Sequence, residues 1–232
     1  MPANARPDIA SQIARLPLFA NMSLEEIERI ASGTREVNAA KGDILFHKGD
    51  PNHGFHLLLS GQIKLAFTSA QGNEKVVEII QPGQTFGEAI MFMDTPYVVY
   101  AQALADSHML HIAKAAVFAE LDRDPRLARK MLASMAIRLH QLVGDLEANS
   151  LHSGKERIVS YLLRELPATT QEAGQKVTVS LSTTKGVIAS RLNLTQEHFS
   201  RILHELSQAG LIVVHGRQIE IPDLARLRDY LP

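Results

Sequence analysis

The sequence predicts an α+β fold in three parts: an antiparallel β-roll led by short helices, one long helix, and a helix-turn-helix with a hairpin wing. Three observations predict it. Between residues 37 and 112, short apolar or alternating runs are separated by glycines, the texture of closely spaced strands and turns. After Asp124 and Pro125, apolar residues recur at spacings of 3, 4, 3 and 4. Between Val187 and Leu206, two apolar stripes of helical period flank a tight Asn193-Leu194 connection. The corresponding division is 1–123 for the roll and its leading helices, 124–151 for the long helix and 152–232 for the C-terminal module.

Residues 8–32 read as helical with a break at Pro17; Ser23 followed by Glu26 forms a capping box, and Ile27 and Ile30 continue the apolar stripe. Strand-like runs follow at 43–47, 55–59, 62–68, 75–80, 98–104 and 108–112, punctuated by Gly42, Gly49, Gly54, Gly61, Gly72 and Gly83. Asp124 reads as an N-cap with Pro125 in the first helical position. Leu132, Met135, Leu139, Leu142 and Leu146 then form a coiled-coil seam suited to a homodimer. Ile137 and Val143 widen that surface, which leaves open a monomer whose stripe lies on its own roll. His152, Ser153 and Gly154 interrupt the pattern and mark a hinge.

In the C-terminal module, Val187, Ile188, Ala189 and Leu192 form one stripe, and Thr195 is a good N-cap for a second helix. On that helix Phe199, Ile202, Leu203 and Leu206 fall on one face, while Glu197, Ser200, Arg201 and His204 repeat the spacing on the other. One face packs and the other is free to read a partner. Gly210 closes the helix, and two β-rich runs around His215 and Gly216 read as a hairpin wing. The exposed chemistry suits the DNA major groove. Arg201 has a planar donor fork for guanine O6 and N7, Glu197 can accept from cytosine N4, and Ser200 serves either base type. Thr183, Thr184, Lys185, Gln196 and Arg217 flank that face as candidate phosphate contacts.

Composition bounds the rest. At 232 residues and 45% hydrophobic, the chain is long enough for two ordinary domains. It contains no run of 18 or more apolar residues, and its first residues lack a hydrophobic signal core, so the expected compartment is the cytoplasm with no membrane partner. The absence of cysteine excludes disulfides and a cysteine-held iron–sulfur cluster. The net charge is −1, with ten Lys and Arg against eight Asp and Glu after residue 150. A nonspecific polyanion binder is usually far more basic, so specificity would rest on base contacts and on pairing two modules.

Glu197, Ser200 and Arg201 reproduce the E-x-x-S-R pattern and resemble the recognition helix of the fumarate-nitrate-reduction regulators, in the larger family that includes the catabolite activator protein. The phrases Gly49-Asp50, 59–64 and 82–88 are similar to a cyclic-nucleotide-binding β-roll, so the resemblance covers nearly the whole chain. It implies a transcriptional regulator: an effector-controlled homodimer that reads a TTGAT-like inverted repeat in double-stranded DNA and engages RNA polymerase. Phe86, Gly87 and Glu88 resemble the opening of the phosphate cassette. In place of the family's Arg-Ser pair stand Val98 and Val99, and burying a phosphodiester there without a cation is costly, which disfavours cyclic nucleotides. Gly87 and Glu88 then read as turn chemistry inherited with the fold. The stretch 86–96 resembles the dissimilatory nitrate respiration regulators, a subgroup associated with haem-based nitric oxide sensing. Haem is therefore a candidate cofactor, with Met91, Phe92, Met93 and Met109 as walls and His47, His53, His56, His108 or His111 as axial ligand.

An enzyme is not expected. The sequence has no G-x-S-x-G elbow, no G-x-x-x-x-G-K-[ST] loop and no H-E-x-x-H helix, and within one strand His108 and His111 fall on opposite faces, unsuited to a shared metal. The remaining alternative is a dimeric ligand-binding or interaction module that does not bind DNA. Arg201 discriminates the two, because only the regulator requires it on an exposed face.

Overall fold

The computed structural model describes residues 9–15, 19, 22–69, 71–72, 74–166 and 176–231, so the expected break at Pro17 lies outside the described residues. The chain divides into two compact units, one ending at His140 and the other beginning at Gln141. That boundary falls inside the long helix rather than at either of its ends.

In the first unit, α1 (Ile9–Ala14) and α2 (Leu24–Ser32) precede β1 (Thr34–Ala39), β2 (Ile44–Phe46), β3 (Gly54–Ser60), β4 (Ile63–Thr68), β5 (Glu74–Ile80) and β6 (Thr85–Phe86). Then come α3 (Glu88–Met93), β7 (Tyr100–Ala103), β8 (Ser107–Ala113), α4 (Lys114–Arg123) and α5 (Pro125–Leu151). The capping box of α2 forms as expected: Glu26 N–H donates to the Ser23 hydroxyl at 3.3 Å, and Ser23 N–H donates to the Glu26 carboxylate at 2.6 Å.

The strands make two antiparallel four-stranded sheets, ordered β1-β8-β3-β6 and β2-β7-β4-β5. Alternation along β3 and β8 sends Leu58 and Met109 into one core, with Phe46, Ile63, Ile80 and Phe86. It sends Phe55, Leu57, Leu110 and Ile112 into a second, with Ile27 and Ile30 of α2, Val117 of α4 and Leu127 and Met131 of α5. Burial on both faces explains why β3 reads as an almost continuous apolar run. The turn into β4 requires glycine. Gly61 has φ +91°, and a Cβ there would lie 2.3 Å from Ser107 Oγ and 2.5 Å from the Asp106 carbonyl oxygen.

Beyond Met131, α5 changes character. Leu132, Ile137, Leu139, Leu142, Val143 and Leu146 are exposed, Leu139 at 63% and Leu142 at 43%. Met135 is half-buried. Ile137 thus does not pack on the roll of its own unit, as the monomeric alternative required.

The second unit contains α6 (Gly154–Arg164), β9 (Val177–Ser180), α7 (Lys185–Arg191), α8 (Gln196–Gln208), β10 (Val213–His215), β11 (Gln218–Ile221) and α9 (Leu224–Arg228). Its sheet is ordered β10-β11-β9. The core gathers Ile158 and Leu162 of α6, Ile188 of α7, four residues of α8, Ile219 of β11 and Leu227 of α9. Where the sequence suggested a hinge at 152–154, Ser153 caps α6: Glu156 N–H donates to its hydroxyl at 3.3 Å, and the Glu156 carboxylate accepts from its N–H at 2.6 Å.

One ion pair ties the helical layer together. Arg29 of α2 donates through Nε and Nη2 to the two carboxylate oxygens of buried Glu120 on α4, at 2.8 and 2.7 Å. The Arg29 hydrogen bonds hold the Glu120 carboxyl below its usual range, against the opposing effect of burial. A carboxyl depressed on folding stabilises above its unfolded pKa, about 4.3, and that contribution is lost as pH falls through the lower folded value. Glu120→Gln is expected to lower the unfolding free energy at pH 7 by about 1 kcal/mol, since Arg29 is partly screened by solvent. Urea titrations at neutral and acid pH should show the gap between variant and wild type closing below about pH 4.

Candidate nucleic-acid interface and sensor site

The helix-turn-helix is built as the spacing predicts. Thr184 caps α7, its hydroxyl accepting from Val187 N–H at 3.4 Å, and Thr195 caps α8, accepting from His198 N–H at 3.2 Å. Between them the chain reverses at Asn193, with φ +57°, and Leu194 N–H donates to the Ala189 carbonyl at 2.9 Å. Asparagine tolerates the left-handed region better than other residues with a side chain, which accounts for its place here. Phe199, Ile202, Leu203 and Leu206 are buried, whereas Glu197, Ser200, Arg201 and His204 are exposed. The residues expected to read bases, Glu197, Ser200 and Arg201, therefore stand on one open face of α8.

Sequence reasoning missed what holds this turn. Arg157 of α6 donates from Nη1 to the Leu192 carbonyl at 2.7 Å, satisfying the last turn of α7 from outside the motif. Lys155 pairs with Glu205 at 2.7 Å and fixes α6 against α8 a turn beyond Arg201. The Ser153–Glu156 spacing, read at the sequence level only as a hinge, was a signal that could have located α6; nothing local points to the partners of Arg157.

The flanking residues divide. Thr184 and Gln196 are exposed and Lys185 is half-exposed, all near the starts of α7 and α8. Arg217 is exposed at the wing tip, where Gly216 takes φ +64° between the paired His215 and Gln218. Thr183 is a correction. It is 5% exposed, so it does not share the open surface on which the other candidates stand.

In the roll, Phe86 ends β6 in the inter-sheet core, and Gly87 takes φ +93° at the start of α3. Glu88 is buried, and the reading of it as inherited turn chemistry is incomplete. Arg138 of α5 donates from Nη1 to Glu88 Oε1 at 3.0 Å and to the Thr85 carbonyl at 2.7 Å, and from Nη2 to Glu78 of β5. Burial opposes the charge on Arg138, but Glu78 and Glu88 together outweigh it and hold the guanidinium above its ordinary pKa. A cation does face the Phe86-Gly87-Glu88 loop, contrary to the sequence argument, and two carboxylates already engage it. Glu88 Oε2 is buried with no hydrogen-bond partner. An anionic ligand here would meet surplus negative charge.

The other pocket residues do not converge. Met91 lies in the helix-side core, Met93 is exposed, Val98 is 49% exposed, and Val99 packs at the margin of the inter-sheet core. The residues expected to wall a haem are likewise dispersed, since Met109 lies in the inter-sheet core and Phe92 on the helix side. Of the five candidate histidines, His56 has a buried ring nitrogen, Nδ1, without a partner. Its ring is stacked on Phe86 with centroids 4.9 Å apart and meets His111 edge-on at 4.9 Å. Burial pushes its pKa down to about 3, with His111 and Arg35 contributing, so it is a neutral packing group. The Met and Phe residues named as walls, and His56, thus do not converge on one haem pocket. The pairing of His56 with His111 arises from strand register, which places them opposite each other on β3 and β8.

Comparison with known proteins follows the same two-part division. Residues 36–124 match the cyclic nucleotide-binding domain family, and residues 156–230 match the Crp-like helix-turn-helix domain family. The chain is 25% identical over 213 residues to the cyclic AMP receptor protein of Thermus thermophilus, covering 92% of this chain and 95% of that protein. It is 27% identical over 208 residues to the anaerobic regulatory protein of Pasteurella multocida, covering 88% of this chain and 74% of the relative. Among solved structures, DNR from Pseudomonas aeruginosa is 33% identical with a TM-score of 0.52, covering 97% of this chain and 99% of that one. FixK2 from Bradyrhizobium japonicum shares the fold at a TM-score of 0.73 and 20% identity, covering 86% of this chain and 98% of its own. No described helix is long and apolar enough to cross a membrane.

Proposed function

The chain belongs to the Crp/Fnr family of DNA-binding transcriptional regulators, and from that premise we propose a homodimer that reads an inverted repeat of TTGAT-like half-sites under the control of an effector bound in its N-terminal unit. The observation that carries this reading is the face of α8, where Glu197, Ser200 and Arg201 stand exposed together over a buried Phe199, Ile202, Leu203 and Leu206. An interaction module that does not bind DNA would give Arg201 no reason to stand there. Arg201 grips guanine, Glu197 accepts from cytosine, and Ser200 completes the contact, while Thr184, Lys185, Gln196 and Arg217 meet phosphates on either side. The identity to DNR supports placement in the dissimilatory nitrate respiration subgroup. As a regulator, the protein acts in the cytoplasm with RNA polymerase as its partner on DNA.

Dimerisation is supported by the exposed stripe of α5. Burying a Leu side chain stabilises by about 1.5–3 kcal/mol, so the exposed leucines of two such helices supply ample driving force for pairing. The pair would also set two recognition helices about 34 Å apart, one turn of DNA. Effector binding then shifts the population between arrangements that do and do not fit both half-sites.

Cyclic nucleotides are poor candidates for that effector. Their phosphate would have to take Arg138 from Glu78 and Glu88 and then lie beside both carboxylates.

Four expected outcomes test the reading. Arg201→Ala should cost about 1–3 kcal/mol per half-site on a matched operator and flatten discrimination at the contacted guanine. Arg217→Ala should instead weaken all sequences alike and reduce the salt dependence, and titrations on matched and single-base-altered operators at several salt concentrations separate the two. Replacing Leu139 and Leu142 together by Glu should abolish the dimer in sedimentation and specific DNA binding with it; a folded, fully dimeric double variant contradicts the seam. Calorimetry with cyclic AMP and cyclic GMP should show no saturable binding to the roll, and micromolar affinity for either would overturn the electrostatic argument.

A further inference from the structure

A second site is available in the N-terminal unit, away from Arg138. A cavity of about 700 Å³ opens between the segment before β3, the loop after α3 and the start of α4. That volume lies within the range of small-molecule pockets, about 300–1,000 Å³. Its walls are largely apolar, with Phe118, Pro51, Pro96 and Ala115 among them, and Lys114 and Thr95 supply polar groups.

Three features of those polar groups point to an anion. Lys114 occupies the first position of α4, where its charge opposes the helix dipole and no acidic residue of that first turn offsets it, so the helix itself does not account for a lysine there. Its ammonium lies 5.5 Å from the centroid of the Phe118 ring, beside the surface an apolar ligand body would cover. The Thr95 hydroxyl is buried and has no hydrogen-bond partner. An unmet hydroxyl in the wall of the same cavity as Lys114 can donate to a carboxylate.

Lys114 is already bonded to the carboxylate of Asp94, but that side chain is 83% exposed and its attraction is screened by water. Asp94 also sits at φ +54°, a left-handed conformation uncommon for a residue with a side chain. Asp94 is therefore a replaceable partner.

We infer that this cavity binds a small organic carboxylate with an aromatic or apolar body, whose carboxylate replaces Asp94 on Lys114 and accepts from the Thr95 hydroxyl while its body lies against Phe118. The site has a route to the sensor loop. Asp94 ends α3, whose first residue is Glu88, and Asn52 in the cavity wall donates from Nδ2 to the Gly87 carbonyl at 3.2 Å. Occupancy would bear on the loop that Arg138 holds. The inference stands apart from the DNA reading, since binding is read on the sensor side without an operator.

The full-length protein, labelled for NMR at lysine and threonine, is titrated with 4-phenylbutyrate and with its neutral amide. The acid should give saturable shifts at Lys114 and Thr95, and the amide should bind about tenfold or more weakly because it lacks the charge-assisted bond. Lys114→Met keeps the apolar stem and should weaken the acid by about the same factor. Asp94→Asn should act in the opposite direction and tighten binding, because it removes the competing carboxylate. Equal affinity for acid and amide, unchanged affinity in Lys114→Met, weaker binding in Asp94→Asn, or no saturable shift at millimolar probe would each overturn the site. Operator binding by wild type, measured alongside, reports the DNA reading independently.

Discussion

The guanidinium of Arg138 is where four elements of the N-terminal unit meet. It comes from α5, bonds Glu88 at the start of α3 and Glu78 on β5, and also takes the Thr85 carbonyl of β6. The residues of α5 that pack on the roll, Leu127 and Met131, lie about two turns earlier, so Arg138 is what extends the attachment along the helix. Its energetic character matters as much as its position. A partly buried cation shared by two carboxylates is expensive to leave unpaired, so the cluster breaks only when something replaces a member.

From that attachment outward, the leucines of the helix are exposed. A soluble chain rarely exposes a run of large apolar side chains along one helix unless another surface covers them. The family relationship supplies the reason for a pair: two recognition helices double the base contacts, and for a module of modest net charge the added contacts must provide selectivity that nonspecific attraction cannot. The ten basic residues of the C-terminal segment barely exceed its acids, and the ones that matter stand in a few places around α7, α8 and the wing.

The C-terminal unit shows how rigid support precedes readout. Arg157 closes the end of α7 from α6, Thr195 fixes the start of α8, and Asn193 supplies the one left-handed residue the reversal needs. Base contacts tolerate little positional error, and here the exposed side chains of α8 project from a helix whose opposite face is wholly buried. The wing is likewise short and paired, so Arg217 is carried at a defined height beside the helix.

The sequence by itself determined the features whose cause is local. Helical period assigned the buried and exposed faces of α8, the Ser23–Glu26 box started α2, and glycine spacing gave a roll of short strands, because i, i+3 and i+4 neighbours and tight turns are set by a few adjacent residues. It also placed Glu197, Ser200 and Arg201 together on the exposed face of that helix. Only the tertiary structure decided what depends on the chain returning to itself. Arg138 meets Glu88 across 50 residues and Glu78 across 60, and no periodicity encodes such a meeting. The same holds for Met91 and Met109, adjacent in a haem argument but assigned to different cores by which side of a sheet each element lies on. Thr183, polar and next to a helix cap, looked available from its neighbours in sequence. Its burial depends on the fold of the whole module, which decides which polar groups remain in contact with water.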